Sequence, residues 1–132
     1  MKDFTEILTK AVSLGASDIH LSSGNLPAYR IDGAIRFFGE SPLTLEQVDH
    51  MARLCLPPEK FEQYMSSGDV DAAYDLDGVG RFRVNVFRQK NGTTVVLRHI
   101  RIKVPDISEL GMPPSIEKVL NLKEGLVLVT GP

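Results

Sequence analysis

Apolar residues recur with a helical period at the start of the chain, which predicts an amphipathic first helix. The pair Asp3-x-x-Glu6 has the spacing of a capping box, and Gly15 is placed to end the helix. The predicted apolar face consists of Phe4, Ile7, Leu8, Ala11 and Leu14.

Two further helices are predicted near the middle of the chain. The second begins at Thr44-x-x-Gln47, and Pro57 and Pro58 end it. The third is the short segment EKFEQYMSSG. The inward-facing residues of the second helix are Val48, Met51, Ala52 and Cys55.

The segments between and after these helices alternate with the period of two that is typical of half-buried strands. SDIHLS is one such strand, and LPAYRIDGAIRFFG holds two short strands about the turn pair Asp32-Gly33. DVDAAYDLDG, GRFRVNVFR and TTVVLRHI follow, and the last two flank Asn91-Gly92. We therefore predict an α+β fold over residues 1–100, with an antiparallel sheet of about six strands and helices packed on it.

The pattern changes after residue 100. RIKVPDISELGMPP carries three prolines and no clear period, so residues 101–112 are predicted to be a linker. A short helix around Pro114–Leu120 and an apolar strand in LVLVTGP are predicted in the final segment, residues 113–132.

Composition excludes several classes of function. The chain has 132 residues with 15 basic and 17 acidic side chains, a net charge of −2 that offers no general attraction for nucleic acid. The single cysteine, Cys55, excludes an internal disulfide and fits a reducing compartment. No apolar run approaches the ~20 residues of a membrane span, and the N-terminus lacks a signal-peptide pattern. We expect a cytoplasmic location.

The final hairpin carries the first candidate site. If Asn91 and Gly92 are the turn residues, Arg83 lies opposite Ile100, and Arg98 becomes its diagonal neighbour. Arg81 projects from the same face of the sheet. The opposite face would pack on the core through Phe82, Val84, Val86 and Leu97. The inference depends on register, because a slip of one residue would separate the two arginines.

Guanidiniums that converge without a carboxylate among them repel one another, and a bound polyanion removes that repulsion. Guanidinium groups also match phosphate oxygens in shape. The alternative is that these arginines form a solvated face, or pair with acids such as Asp71 or Asp75. Position alone leaves both interpretations open.

GASDIHLS is the second stretch with candidate chemistry, because Asp18 and His20 share one strand face. A metal site needs three or four ligands, and the remaining histidines, His50 and His99, fall in a helix and on the apolar face of the hairpin. We therefore favour a structural role, in which Ser17 or Asp18 satisfies backbone donors at the helix-to-strand corner and His20 makes a surface or interface hydrogen bond. Cys55 is predicted to be a small core residue.

The end of the chain has a third pattern. An apolar strand that runs into Gly131 and Pro132 is how a phosphate-binding loop begins, although the diagnostic Gly-Lys-Ser/Thr would lie beyond Pro132. An interior strand with a turn explains these residues equally well.

Three stretches together, GASDIHLSSGNLPAYRIDG, GVGRFRVNVFRQKNG and LKEGLVLVTGP, resemble the secretion and type IV pilus ATPases of the additional-strand ring NTPase class. Within that class the resemblance is to the retraction ATPases of twitching motility, and it covers essentially the whole chain. It implies a PAS-like domain over residues 1–100, a linker, and the start of a RecA-like motor domain whose phosphate-binding loop begins at Gly131 and Pro132.

The resemblance also implies roles. Arg83 and Arg98 match family arginines that close over the triphosphate held by the motor domain, and Arg81 is a third candidate. It implies ATP and magnesium as cofactors of a homohexameric parent, located in the cytoplasm and peripheral to the inner membrane through a pilus platform protein. Residues 1–132 themselves contain no catalytic or metal-binding residues on this interpretation. The alternatives are the same domain of a type II secretion or pilus assembly ATPase, and a stand-alone PAS-like module that binds a partner or ligand.

Overall fold

The computed structural model describes residues 4–101 and 105–131. The chain divides into two compact units, Met1–Ile102 and Lys103–Pro132. The predicted boundaries of the linker at 101–112 and of the motor segment at 113–132 remain predictions.

The first unit contains three helices and six strands. The helices are α1 (Phe4–Ser13), α2 (Leu45–Cys55) and α3 (Pro58–Ser67). The strands are β1 (Asp18–Ser22), β2 (Ala28–Ile31), β3 (Ala34–Phe37), β4 (Asp69–Leu76), β5 (Gly80–Gln89) and β6 (Gly92–Ile100). They form one antiparallel sheet in the order β3-β2-β1-β6-β5-β4, which confirms the predicted α+β fold and the number of strands.

One face of this sheet, called the inner face below, packs with the helices into a single hydrophobic core. The predicted inward residues of the final hairpin, Phe82, Val84, Val86 and Leu97, are all fully buried there. They pack with the apolar sides of the helices, represented by Leu8, Val48, Met51 and Tyr64. The other face, called the outer face, carries the polar residues of β1, β5 and β6.

The helix ends follow the chemistry expected from their sequences. Gly15 adopts φ +70°, and the Schellman bonds form, with Gly15 N donating to Val12 O and Ala16 N donating to Ala11 O. Leu14 directly follows the last helical residue and is 42% exposed, so its assignment to the apolar face is wrong. The capping box at Thr44 and Gln47 is confirmed by both of its hydrogen bonds. Asp3 of the first capping box lies outside the described residues.

The turn between β2 and β3 is the predicted one. Asp32 and Gly33 are its two central residues, with φ of 49° and 80°, and Ile31 pairs with Ala34. Two consecutive positive φ angles define the type I′ turn that Asp-Gly favours.

The turn between β5 and β6 differs from the prediction. Gln89 pairs with Gly92, so Lys90 and Asn91 are the turn residues rather than Asn91 and Gly92. The register moves by two residues, and Arg83 lies directly opposite Arg98 instead of diagonal to it. A shift of two keeps every side chain on its predicted face, so the grouping of the arginines survives.

A tertiary contact explains this register. The Asn91 carbonyl accepts a hydrogen bond from the Ser23 hydroxyl, and Gly92 lies against Ser23 and Leu45 at φ +115°. A Cβ at residue 92 would stand 2.5 Å from a Leu45 methyl group and 2.8 Å from Ser23 Oγ. Glycine at this position is used for close approach, and not as the second residue of a type I′ turn.

The second unit contains helix α4 (Ser115–Leu120), which confirms the short predicted helix. The predicted strand at 126–130 is not formed, and Leu126 and Val129 are 82% and 95% exposed. No described strand pairs with this segment, and an isolated strand would leave its backbone groups without ladder hydrogen bonds.

Candidate anion-binding site

Four charged residues form a row across the outer face of the sheet. Arg30 on β2 pairs in register with Asp18 on β1, Asp18 pairs with Arg98 on β6, and Arg98 pairs with Arg83 on β5. Side chains at paired positions project from the same face, so three guanidiniums stand beside one carboxylate on four neighbouring strands. The row places the two predicted arginines side by side. Sequence reasoning missed Arg30.

Arg83 and Arg98 are accessible, because each side chain is 69% exposed. Each also has an acidic partner: Arg98 Nε lies 2.8 Å from Asp18, and an Arg83 terminal amino group lies 3.6 Å from Asp71. Arg81 has a similar long contact of 3.6 Å with Asp75. The alternative that the arginines pair with acids such as Asp71 or Asp75 is therefore confirmed, and the expectation of a cluster without carboxylates is wrong. Asp18, which lies eighty residues from Arg98 in sequence, is a further carboxylate of the cluster. The exposed pairs with Asp71 and Asp75 are weak, and they leave the guanidiniums able to accept another anion.

Asp18 is the most buried charged group of the row, with 6% of the residue exposed. Its carboxylate accepts hydrogen bonds from Arg98 Nε and from the Ser17 hydroxyl at 2.8 Å, and Arg30 Nε lies at 3.4 Å. Burial by itself raises the pKa of Asp18, but the hydrogen bonds from Arg98 and Ser17 and the charges of Arg98 and Arg30 together lower it below its usual value. Asp18 accepts from side-chain donors, and the Ser17 hydroxyl donates to Asp18 and to the Arg30 carbonyl. In the described part of the chain, neither Ser17 nor Asp18 has its predicted role toward backbone donors.

This arrangement predicts a loss of stability in acid. Because the folded-state pKa of Asp18 is depressed, its contribution is complete above the unfolded-state value and declines below about pH 4, as pH falls toward and through the folded-state value. We expect the free energy of unfolding, measured with urea, to change less with pH for Asp18→Asn than for the wild type between about pH 4 and pH 2. Parallel pH profiles for the two proteins would contradict this assignment.

Arg83 and Arg98 border an open depression of about 390 Å³ on the outer face. Its remaining lining is supplied by Asp18, Asp71, Asn85 and Val96. Asn85 lies on the predicted face and donates to Asp69 at 2.9 Å. An anion entering this depression would meet guanidinium groups from two adjacent strands, which is the arrangement that favours phosphate or carboxylate.

His20 lies next along β1 on the same face, between Ala28 and Val96. Its Nε2 atom is buried and has no hydrogen-bond partner among the described residues, so the predicted surface hydrogen bond is absent at this atom. Burial lowers the pKa of His20, a change that Asp18 opposes and Arg30 reinforces. The side chain is therefore held in its neutral form near neutral pH.

The other candidate groups have structural positions. Cys55 is buried in the core, as predicted, and burial raises the pKa of its thiol. Within residues 4–101 and 105–131, no group of three or more histidine, cysteine or acidic side chains is arranged to hold a metal ion. In the same part of the chain, no helix has the length and apolar character needed to cross a membrane. Gly131 is exposed, and Pro132 lies outside the described residues.

Comparison with known proteins identifies related chains, although no protein-family model matches. The sequence is 38% identical over 130 residues to the type IV pilus retraction ATPase PilT of Pseudomonas aeruginosa, covering 98% of this chain and 38% of that protein. The crystal structure of the pilus retraction motor PilT with bound ADP superposes with a TM-score of 0.76 at 36% identity, covering 100% of this chain and 39% of that one. The ATPase DotB of Legionella pneumophila gives a TM-score of 0.77 at 25% identity, over 90% of this chain and 34% of that one. The chain thus spans less than two fifths of the length of the curated relative.

Proposed function

Because this chain is homologous to the N-terminal domain of the PilT-like motor ATPases, we propose that it serves as that domain in a type IV pilus retraction motor. In this proposal the domain closes over ATP and magnesium held by a motor domain that follows it. The complete motor is a cytoplasmic homohexamer that acts on a platform protein in the inner membrane. Residues 1–132 have no catalytic role of their own and bind nucleotide weakly.

One observation carries this proposal: Arg83 and Arg98 lie directly opposite each other on the open face of the sheet, each with 69% of its side chain exposed. Two adjacent guanidiniums on a rigid sheet supply several donors with fixed geometry to a phosphate chain. Asp18 and Asp71 also line the depression that the two arginines border, so an anion gains these donors there by displacing the long, exposed contact between Arg83 and Asp71. Arg81, on the same face and paired with Asp75, is assigned an accessory role.

The test is ATP hydrolysis by the longer protein in which residues 1–132 continue into a motor domain. Arg83→Ala and Arg98→Ala should each lower kcat/KM for ATP by about 10- to 100-fold, the range expected when a hydrogen bond to a charged group is lost. Arg36→Ala is the matched control, because this exposed arginine lies on β3 opposite Tyr29, on the inner-face side. Hydrolysis unchanged in both Arg83 and Arg98 variants would remove the phosphate role.

The phenotype of a gene deletion in the source organism distinguishes a retraction motor from an assembly ATPase. Loss of a retraction motor should leave pili on the surface and abolish twitching, since pili are still assembled but no longer withdrawn. Cells without pili would support the assembly ATPase. Intact pili with normal twitching and impaired protein secretion would support the secretion ATPase.

A further inference from the structure

Arg83 and Arg98 are held by their acidic partners in different ways. Arg98 binds through Nε, at 2.8 Å, to Asp18, whose side chain is only 9% exposed. Arg83 binds through a terminal amino group, at 3.6 Å, to Asp71, whose side chain is 58% exposed. The first contact is short and partly buried, whereas the second is long and solvated.

The choice of nitrogen decides what each arginine can still bind. A guanidinium that donates through Nε keeps both terminal amino groups for a second ligand, and no other contact of these groups in Arg98 is seen in the described part of the chain. Arg83 uses a terminal amino group on Asp71, so an anion that binds there has to compete with this carboxylate. Ser17 and Arg30 hold Asp18 in turn, which makes it a fixed acceptor.

We propose that Asp18 is a positioning residue that fixes Arg98 with its terminal amino groups directed at the incoming phosphate, whereas Asp71 is a displaceable partner that Arg83 leaves when the anion binds. This inference rests on the proposed function, in which both arginines contact the triphosphate. Asp18 also lies between Arg30 and Arg98, and without its charge the row would hold three guanidiniums and no carboxylate. Repulsion would then drive Arg98 away from its fixed position.

The two carboxylates should therefore respond in opposite directions when neutralised in the longer protein. We expect Asp18→Asn to lower kcat/KM for ATP on the order of tenfold. This is the lower end of the effect seen when a residue that orients a ligand-binding side chain is lost. Asp71→Asn should raise kcat/KM about two- to threefold, because the competitor of the anion is gone. Asp77→Asn, an exposed acid in the β4–β5 turn, controls for the general change in charge.

A double-mutant cycle distinguishes positioning from a structural role. If Asp18 acts through Arg98, Asp18→Asn should change kcat/KM less than twofold in an Arg98→Ala background. A full tenfold loss in that background would overturn the inference. Asp18→Glu keeps the charge and should recover at least threefold over Asp18→Asn, which provides a second variant if the asparagine protein folds poorly. No recovery in a folded Asp18→Glu protein would also count against it.

A local measurement on residues 1–132 is independent of ATP. The Arg98 Nε–H resonance should be protected from solvent exchange in the wild type, and it should lose this protection in Asp18→Asn but not in Asp71→Asn. An equally unprotected resonance in the wild type would overturn the positioning role. If Arg83→Ala and Arg98→Ala both leave hydrolysis intact, the proposed function fails. An effect of Arg98→Ala with none of Asp18→Asn contradicts the positioning role alone.

Discussion

Replacing Phe82 with alanine should lower the free energy of unfolding of the first unit by about 3–5 kcal/mol. Phe82 is fully buried, and its ring lies 5.4 Å from the ring of His99 on the neighbouring strand. The substitution removes most of a large apolar side chain from the core. It leaves a cavity that the flanking strands are unable to close. Urea denaturation followed by circular dichroism measures the change.

Phe37→Ala is the matched control for this change. Phe37 is also an aromatic residue of the sheet, but it lies on the edge strand β3 and is 64% exposed, so its truncation should cost less than about 0.5 kcal/mol. Similar losses in the two variants would mean that the inner and outer faces are assigned incorrectly. Because Phe82 lies between Arg81 and Arg83, such a result would also remove the basis for the arginine row.

Replacing Gly92 with alanine should destabilise the protein by about 3 kcal/mol, combining backbone strain with steric overlap. The residue has φ +115°, which L-residues rarely adopt, and its new Cβ would overlap a Leu45 methyl group and Ser23 Oγ. The exposed Leu45 side chain is able to move, but rotation of Ser23 breaks its hydrogen bond to the Asn91 carbonyl. Thermal unfolding should show a clear decrease in Tm.

Gly78→Ala distinguishes backbone strain from steric overlap. Gly78 has φ +73° in the β4–β5 turn, and no atom lies within 4 Å of the position that a Cβ would occupy, so alanine there introduces backbone strain alone. We expect a loss of about 1–2 kcal/mol for this variant. Equal losses at the two glycines would show that the close approach of Ser23 and Leu45 does not select the β5–β6 register.

Local patterns predicted most of the first unit correctly. The helix ends at Gly15 and Thr44 depend on backbone groups within a few residues, and the turn at Asp32-Gly33 depends on two φ angles. The alternation in β5 assigned its faces correctly, because a period of two is a property of any strand whatever its neighbours. These features depend on residues that are near one another in sequence, so they are specified without reference to the rest of the fold.

The errors in the candidate site arose from contacts between distant residues. Asp18 and Arg98 are eighty positions apart, and their pairing follows from the placement of β1 beside β6 in the sheet order. A carboxylate beside an arginine on a neighbouring strand has no sequence signal of its own. The β5–β6 register was set by Ser23 and Leu45, which come from a different part of the chain.

The sequence by itself determined the kinds of element, their faces, and the fact that Arg83 and Arg98 share one face of a hairpin, since backbone periodicity and turn chemistry act over short distances. Only the tertiary structure decided that the two arginines stand directly opposite each other and that Asp18 holds one of them. It also left the apolar residues 126–130 without a strand partner among residues 4–101 and 105–131. These outcomes depend on which strands become neighbours, and strand pairing is a property of the whole sheet.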